Sequence, residues 1–515
     1  MTEALMSLQV ISWNIAAVNN NPFEYWITHN DAGYNQLMAG IETFVDEPGP
    51  MDVPVSDIFT QRMFDDLKQA MLSEGWTGIS ETEKQWNDNY KNRTIISGFM
   101  KDKDIGAKRL ASMPDRITNT INTIDGSTVC RPTVINVYEG IMDSVDEWWD
   151  QWKSFMFSTS VTVKGKDGVE TKKPCQLLEK IKSAKYPAIT PEEEEISVPL
   201  QTLCQAIFDA TLVHLMNMVA PGTWHGLKLD MCNSLVKQKD NIILRILQKT
   251  YADTHVIFLQ EVAAMFSEKA ASTPLGASHY IVSPEKMDGK RDQNSMILLS
   301  KSAFKVDTIH EITSQVFAAF EEGRESVADG DLLAITVEGA NGVKYMLASF
   351  HGDTNGLATI PVVKAVRAVW SKLDTPHKLV FGLDANTYVT GKPGKVQGVK
   401  EFAEFFVAAG LTSQWGDSVD VDISRTTLNA RTFMQPQLNK AVKMSEKMAK
   451  GDHNPKDFIL FAKDQHTASS VFKDNTGTRE YVEGMVFPTL QFPSDHGIIG
   501  ATLHAADSSS DKSEL

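Results

Sequence analysis

Six polar groups stand at the ends of short apolar runs in this sequence. Asn14 follows Leu8-Gln-Val-Ile-Ser-Trp13, Glu261 follows Val256-Ile-Phe-Leu-Gln260, and His351 follows Met346-Leu-Ala-Ser-Phe350. Asp384-Ala385-Asn386 follows Leu379-Val-Phe-Gly-Leu383, Asp457 opens Phe458-Ile-Leu-Phe461, and Ser494-Asp495-His496 opens Gly497-Ile-Ile-Gly500. A carboxylate at the end of a buried run is costly unless a cation or hydrogen-bond donors receive it. Singly, each has an ordinary explanation: Glu261 can face solvent or pair with an arginine, and Asn14 can begin the turn into Asn19-Asn20-Asn21-Pro22. Together they imply one convergent acidic site. Carboxylate and carboxamide oxygens suit Mg²⁺ or Mn²⁺, and the lack of clustered Cys and His argues against a structural zinc site.

Such groups need strands to hold them. The runs are of strand length and rich in β-branched residues, which predicts strands over residues 8–15, 254–262, 279–283, 295–300, 331–337, 344–350, 378–383, 457–461 and 496–502. Helical spacing appears at 235–251, 360–373 and 396–409, so this part of the chain reads as mixed α/β sheets. Residues 30–235 differ in character. Helical patterns are predicted over 56–75, behind a Ser cap, over 134–157, and from the acidic first turn at 191–195 through 200–219; residues 164–172 read as an exposed loop. The aromatic and Met stripes of this region are core rather than a cofactor box.

Composition narrows the function. The 515 residues carry a formal net charge of −16, so there is no global positive field to recruit nucleic acid, and a nucleic-acid substrate needs a local basic patch. The four cysteines are dispersed, which fits free thiols in a reducing compartment. The N-terminus lacks the basic region of a secretory signal and no transmembrane run stands out, so a soluble intracellular protein (cytoplasm or nucleus) is expected.

In order and in strand context, the six motifs resemble those of the endonuclease/exonuclease/phosphatase superfamily, whose members share a DNase I-like fold. The resemblance covers residues 8–15 and about 236–504. It implies a four-layer sandwich of two mixed β-sheets flanked by helices, with residues 1–29 and 236–504 as the catalytic domain, 30–235 as a mainly helical insertion and 505–515 as a tail. It further implies that Glu261 is the principal metal ligand, assisted by Asn14 and Asp495, and that Asp384 and Asn386 hold the attacking water and a phosphate oxygen. His496 would face the phosphate, His351 would donate to a phosphate or leaving-group oxygen, and Asp457 would orient an imidazole. Phosphoester hydrolysis needs neutralised phosphate oxygens, an in-line nucleophile and a proton route, and a hard cation with two histidines supplies all three.

The sequence also departs from that pattern. Where many relatives carry an acid two residues after the first Asn, this chain has Ala16, which favours one Mg²⁺ over a permanent pair. Asn14 and Glu261 are 261 − 14 = 247 positions apart, far more than one strand–loop–helix–strand unit needs, hence the insertion. Arg291, Asn294 and Arg431 are candidate substrate ligands, since an arginine fork grips phosphate bidentately; each arginine can equally be a surface ion pair. The first expectation is a phosphodiesterase or nuclease on a nucleic acid or nucleotide-like substrate. A phosphoinositide or other phosphomonoester is the second, and a non-catalytic scaffold binding a protein partner through the helical insertion is the third.

Overall fold

The computed structural model describes residues 7–165, 168–288, 291–430, 434–435 and 451–506. The chain forms two compact units. One is built from Met1–Val18, Lys237–Asn429 and Gly451–Leu515, the other from Asn19–Val236 and Ala430–Lys450. The first segment of the sandwich unit ends at Val18.

Twelve strands, numbered here along the first unit, make two six-stranded sheets. They are β1 (Ser7–Asn14), β2 (Val256–Val262), β3 (His279–Val282), β4 (Asn294–Ser300), β5 (His310–Glu311), β6 (Leu332–Glu338), β7 (Lys344–His351), β8 (Lys378–Asp384), β9 (Leu411–Ser413), β10 (Asp457–Ala462), β11 (His466–Asp474) and β12 (Ile498–Ala505). One sheet runs β11-β12-β1-β2-β4-β3 and the other β9-β10-β8-β7-β6-β5. Every strand expected from the sequence is present within a few residues; the short β5 and β9 and the longer β11 are additions. For β11 the reason is composition. Its alternation is polar on both sides, so no apolar run announces it.

Three apolar layers hold the unit together. Val10, Phe258, Ile297, Leu333, Leu347, Val380, Ile459 and Ile499 fill the space between the sheets. The outer face of one sheet packs on the helix Lys239–Thr250 through Ile243 and Leu247. The outer face of the other packs on Thr359–Trp370 and Val399–Ala408 through Val362, Val366, Phe402 and Phe406. The result is the four-layer, DNase I-like sandwich that the motifs lead one to expect. Gly382 allows the sheets to approach at β8, where any Cβ would stand 2.4 Å from the Phe258 ring.

The helical unit is organised around Ser197–Val219, 23 residues long and 78% buried in its apolar window. By length and composition this helix is able to cross a membrane, contrary to the sequence expectation; here it is packed against the helices Ala32–Asp46 and Val145–Phe157. Trp148, Trp149 and Trp152 are fully buried beside it, as their helical spacing predicts. Three expectations fail. Residues 134–144 are not helical, the helix starting only behind the Ser144 cap. Residues 164–172 form a hairpin, Val161–Lys164 against Val169–Lys172, rather than a loop, because cross-strand pairing outweighs the charged composition. The helix Gln61–Ser73 is capped by Thr60, not by the Ser at position 56.

Candidate active site

Strand register alone assembles half of the site. β7 runs parallel to β8 with His351 opposite Asp384, and β10 runs antiparallel to β8 with Asp457 opposite Asp384. Three functional side chains therefore share one row across three strands. On the facing sheet, β1 is parallel to β2 with Asn14 opposite Gln260. The pairing of β2 with β4 then skips between Leu259 and Val262. At that bulge Glu261 has φ of 55°, a left-handed conformation that re-aims its carboxylate out of the strand alternation. Ala16 (φ 57°) and Asn386 (φ 47°) are left-handed too. Strain in non-glycine residues of this kind clusters where side chains must converge.

The groups meet. Asn14 Nδ2 donates to Glu261 Oε1 and to Asp384 Oδ2, both at 2.9 Å. The Ala17 amide donates to Glu261 Oε2 at 2.7 Å. His351 Nε2 lies 3.2 Å from Glu261 Oε1 and 3.9 Å from Asp384 Oδ2. His496 Nδ1 lies 2.9 Å from Asp457 Oδ2, and its Nε2 lies 3.7 Å from Asp384 Oδ2. The Asn386 amide donates to Asp384 Oδ1 at 2.9 Å. The ligand atoms of Glu261, His351 and Asp384, and those of Asp384, Asp457 and His496, each fall within 4.8 Å of one another.

Electrostatics follow from this crowding. Burial opposes ionisation of Glu261, yet His351 and the donors from Asn14 and Ala17 hold its carboxyl far below the usual range. Burial also opposes the His496 and His351 imidazolium ions, but Asp457 beside the first and Glu261 beside the second raise both pKa values. Asp457 is pushed up, chiefly by its own burial. The pair Asp457–His496 thus keeps a proton, and with Nδ1 held by Asp457 the Nε2–H is the one presented to Asp384.

A divalent cation fits these residues. The converging oxygens of Glu261 and Asp384 form a hard donor set, and His351 Nδ1 is buried without a hydrogen-bond partner. Asn14 differs from its expected part. Its Oδ1 accepts from the Ala16 amide at 2.8 Å and its NH₂ faces the carboxylates, so it braces them rather than offering an oxygen to a cation. Asp495 is half-buried and lies outside both clusters of converging ligand atoms among the described residues.

Two of the expected substrate ligands are already engaged. Arg291 donates to Asp288 at 2.5 Å and to Asp331 at 2.6 Å, an ion-pair fork rather than an open phosphate fork. Asn294 is buried, donating to the Val262 carbonyl at 3.0 Å and accepting from the Asp288 amide at 3.0 Å; it props the Glu261 bulge. Arg431 lies outside the described residues. Two lysines escaped the sequence reading. Lys456 Nζ donates to Asn386 Oδ1 at 3.0 Å and pairs with Asp452 at 2.5 Å; its place just before Asp457 was the only signal. Lys239, buried at the start of its helix, donates to the Pro493 carbonyl, and burial lowers its ammonium to about 8 against the pull of Asp495 and Glu261. Nothing in the local sequence separates it from a surface lysine.

Residues 52–229 match a family described only as a domain of unknown function, DUF8234. No curated protein matches the chain. Among solved structures, D. rerio TDP2 complexed with a single-strand DNA product is 16% identical, covering 52% of this chain and 93% of that one, with a TM-score of 0.35. The catalytic domain of human Nocturnin is 13% identical over 52% of this chain and 87% of that one, with a TM-score of 0.35. ANGEL2, a 2′,3′-cyclic phosphatase, is 11% identical over 52% of this chain and 86% of that one, with a TM-score of 0.33.

Proposed function

We propose that the sandwich unit is a divalent-cation-dependent phosphoester hydrolase, acting as a phosphodiesterase or nuclease on a nucleic acid or nucleotide-like substrate. The observation that carries this reading is the convergence of Glu261, Asp384, His351 and His496, drawn from two sheets onto a space a few ångströms across. A set of carboxylates this close repels itself unless protons or a cation intervene.

Glu261 and Asp384 would hold the cation, which when bound neutralises phosphate oxygens and lowers the pKa of a coordinated water. The protein's own side chains do the rest. Asp457 fixes the His496 tautomer and keeps its Nε2–H available to a phosphate oxygen. His351 offers a second imidazole from the other side of Asp384. The Asn386 amide NH₂, tied to Asp384 and to the Gly352 carbonyl, and Lys456 behind it place a positive edge where a phosphate would lie.

The test is a panel of single-stranded RNA, single-stranded DNA and soluble inositol phosphates in Mg²⁺, with and without chelator, beside Glu261→Ala and His496→Ala. Turnover by the wild type, abolished by chelator and by either substitution, is expected. Equal activity of all three proteins on every substrate would end the catalytic reading, and turnover of inositol phosphates alone would move the substrate class.

A further inference from the structure

A second polar cluster adjoins the site on the His496 side. The stretch Arg425-Thr426-Thr427 bridges to His496 through Thr427, and the Gly497 amide donates to the Thr426 carbonyl at 2.7 Å. Lys473 Nζ, nine-tenths buried, donates to the Arg425 carbonyl at 3.2 Å and lies 4.0 Å above the Tyr481 ring. That ring and the Thr426 carbonyl close over Gly497, the residue after His496. The Thr426 amide donates to the Asn454 carbonyl at 3.0 Å, which brings the chain at His453 beside Arg425; burial lowers the His453 imidazole, Arg425 and Lys473 push in the same direction, and Glu483 and Asp452 oppose them. His453 is also the neighbour of Asp452, which pairs with Lys456.

Two cations, Arg425 and Lys473, therefore act on each other and on the His453 imidazole. Among the described residues, the ion pair of Arg425 is with Asp422, at 3.5 Å, and that of Lys473 is with Glu483, at 3.6 Å. Those two carboxylates are 87% and 77% exposed, so water screens both pairs. Arg425 Nε is buried without an acceptor. An orphan donor in a buried, like-charged cluster is costly, and phosphate oxygens are the acceptors that a guanidinium fork and an ammonium share. In a chain of net charge −16 this is the kind of local basic patch that a polyanionic substrate needs.

We infer that Arg425, His453 and Lys473 form an anion subsite beside His496 that takes a second phosphate group of the substrate. The inference rests on the hydrolase reading and narrows it to substrates with a phosphate next to the scissile one. Inorganic phosphate titrated into the full-length chain in the presence of chelator is expected to shift the His453 ring resonances, identified with His453→Asn, in a saturable way. Arg425→Gln and, independently, Lys473→Gln should abolish the shift, with circular dichroism showing each variant folded. In turnover, both variants should raise KM about tenfold or more for a dinucleotide carrying a terminal phosphate. Their kcat, and their KM for the same dinucleotide without that phosphate, should stay at wild-type values. No shift with phosphate, a shift that survives both substitutions, or KM changes equal for the two dinucleotides would overturn the subsite. Absence of wild-type turnover on any phosphoester would instead defeat the hydrolase reading, while the phosphate titration still decides the subsite.

Discussion

Each unit buries a cluster of charges, and the two clusters are built on opposite principles. In the helical unit Arg131 and Asp209 are fully buried and every polar atom of the guanidinium is used. Nε and one terminal nitrogen bond Asp209, that same nitrogen reaches Asp115 at 2.6 Å, and the other donates to Thr118. Thr133 and the Trp152 indole complete the shell around Asp209. This network is closed. In the sandwich unit the carboxylates of Glu261 and Asp384 face each other across imidazoles and a carboxamide, His351 keeps an unpartnered nitrogen, and the backbone is strained at Ala16, Glu261 and Asn386. That cluster is open. A closed network specifies a fold, and an open one is arranged for something that arrives later.

Breaking the two clusters should therefore have different consequences. His496→Asn is expected to reduce kcat/KM by about 10²–10⁴-fold with a smaller loss of stability than the core variant below, since the Asn carboxamide can still donate to Asp457. Arg131→Met, by contrast, strands Asp209 in the core and should destabilise the helical unit by about 3–5 kcal/mol, read in urea unfolding by tryptophan fluorescence. Equal loss of stability in both variants would erase the distinction.

The pH response sharpens the same contrast. His496 has a raised pKa, so its imidazolium persists as pH climbs past the ordinary value of about 6.5. The alkaline fall in kcat/KM should lie above that value, and Asp457→Asn, by removing the carboxylate that holds the proton, should move it to lower pH. A limb that does not move would detach Asp457 from His496 in function. The stability held by the Asp457–His496 pair has the same sign: it is full below the unfolded pKa and is lost as pH rises through the folded one.

The smallest expected effect is in the helical unit. Lys228 is buried between the Thr133 and Tyr138 carbonyls, and burial lowers its pKa to about 8. The unfolded chain holds that proton to about 10.4, so it binds more protons than the folded chain between those values, and stability rises with pH there. The gain is at most about 3 kcal/mol. Lys228→Met should flatten the rise relative to wild type, and parallel curves would show that Lys228 stays charged when folded.

The site's membership was largely legible because its residues end apolar strands, and a two-residue period plus an abrupt polar residue is a local signal. His351, Asp384 and Asp457 needed only adjacent, in-register strands to meet. Other features were not legible, for a common reason. The bulge that turns Glu261 depends on how β2 pairs with β4, and the Asn14 amide is oriented by Ala16, Glu261 and Asp384 together. Whether Arg291 is a phosphate ligand or an ion pair was left open by the sequence because Asp331, forty positions away, is invisible to local reading. The hairpin at Val161–Lys172 and the polar strand β11 were missed because their pairing partners, not their own composition, make them strands.

By itself, then, the sequence determined the strands, the buried faces and the chemical types at their ends, since periodicity and the cost of burying charge act over a few residues. Which charges close upon themselves and which remain open was decided only by tertiary structure. That outcome depends on distances between groups hundreds of positions apart, and those are fixed by sheet register and packing rather than by any neighbour in the chain.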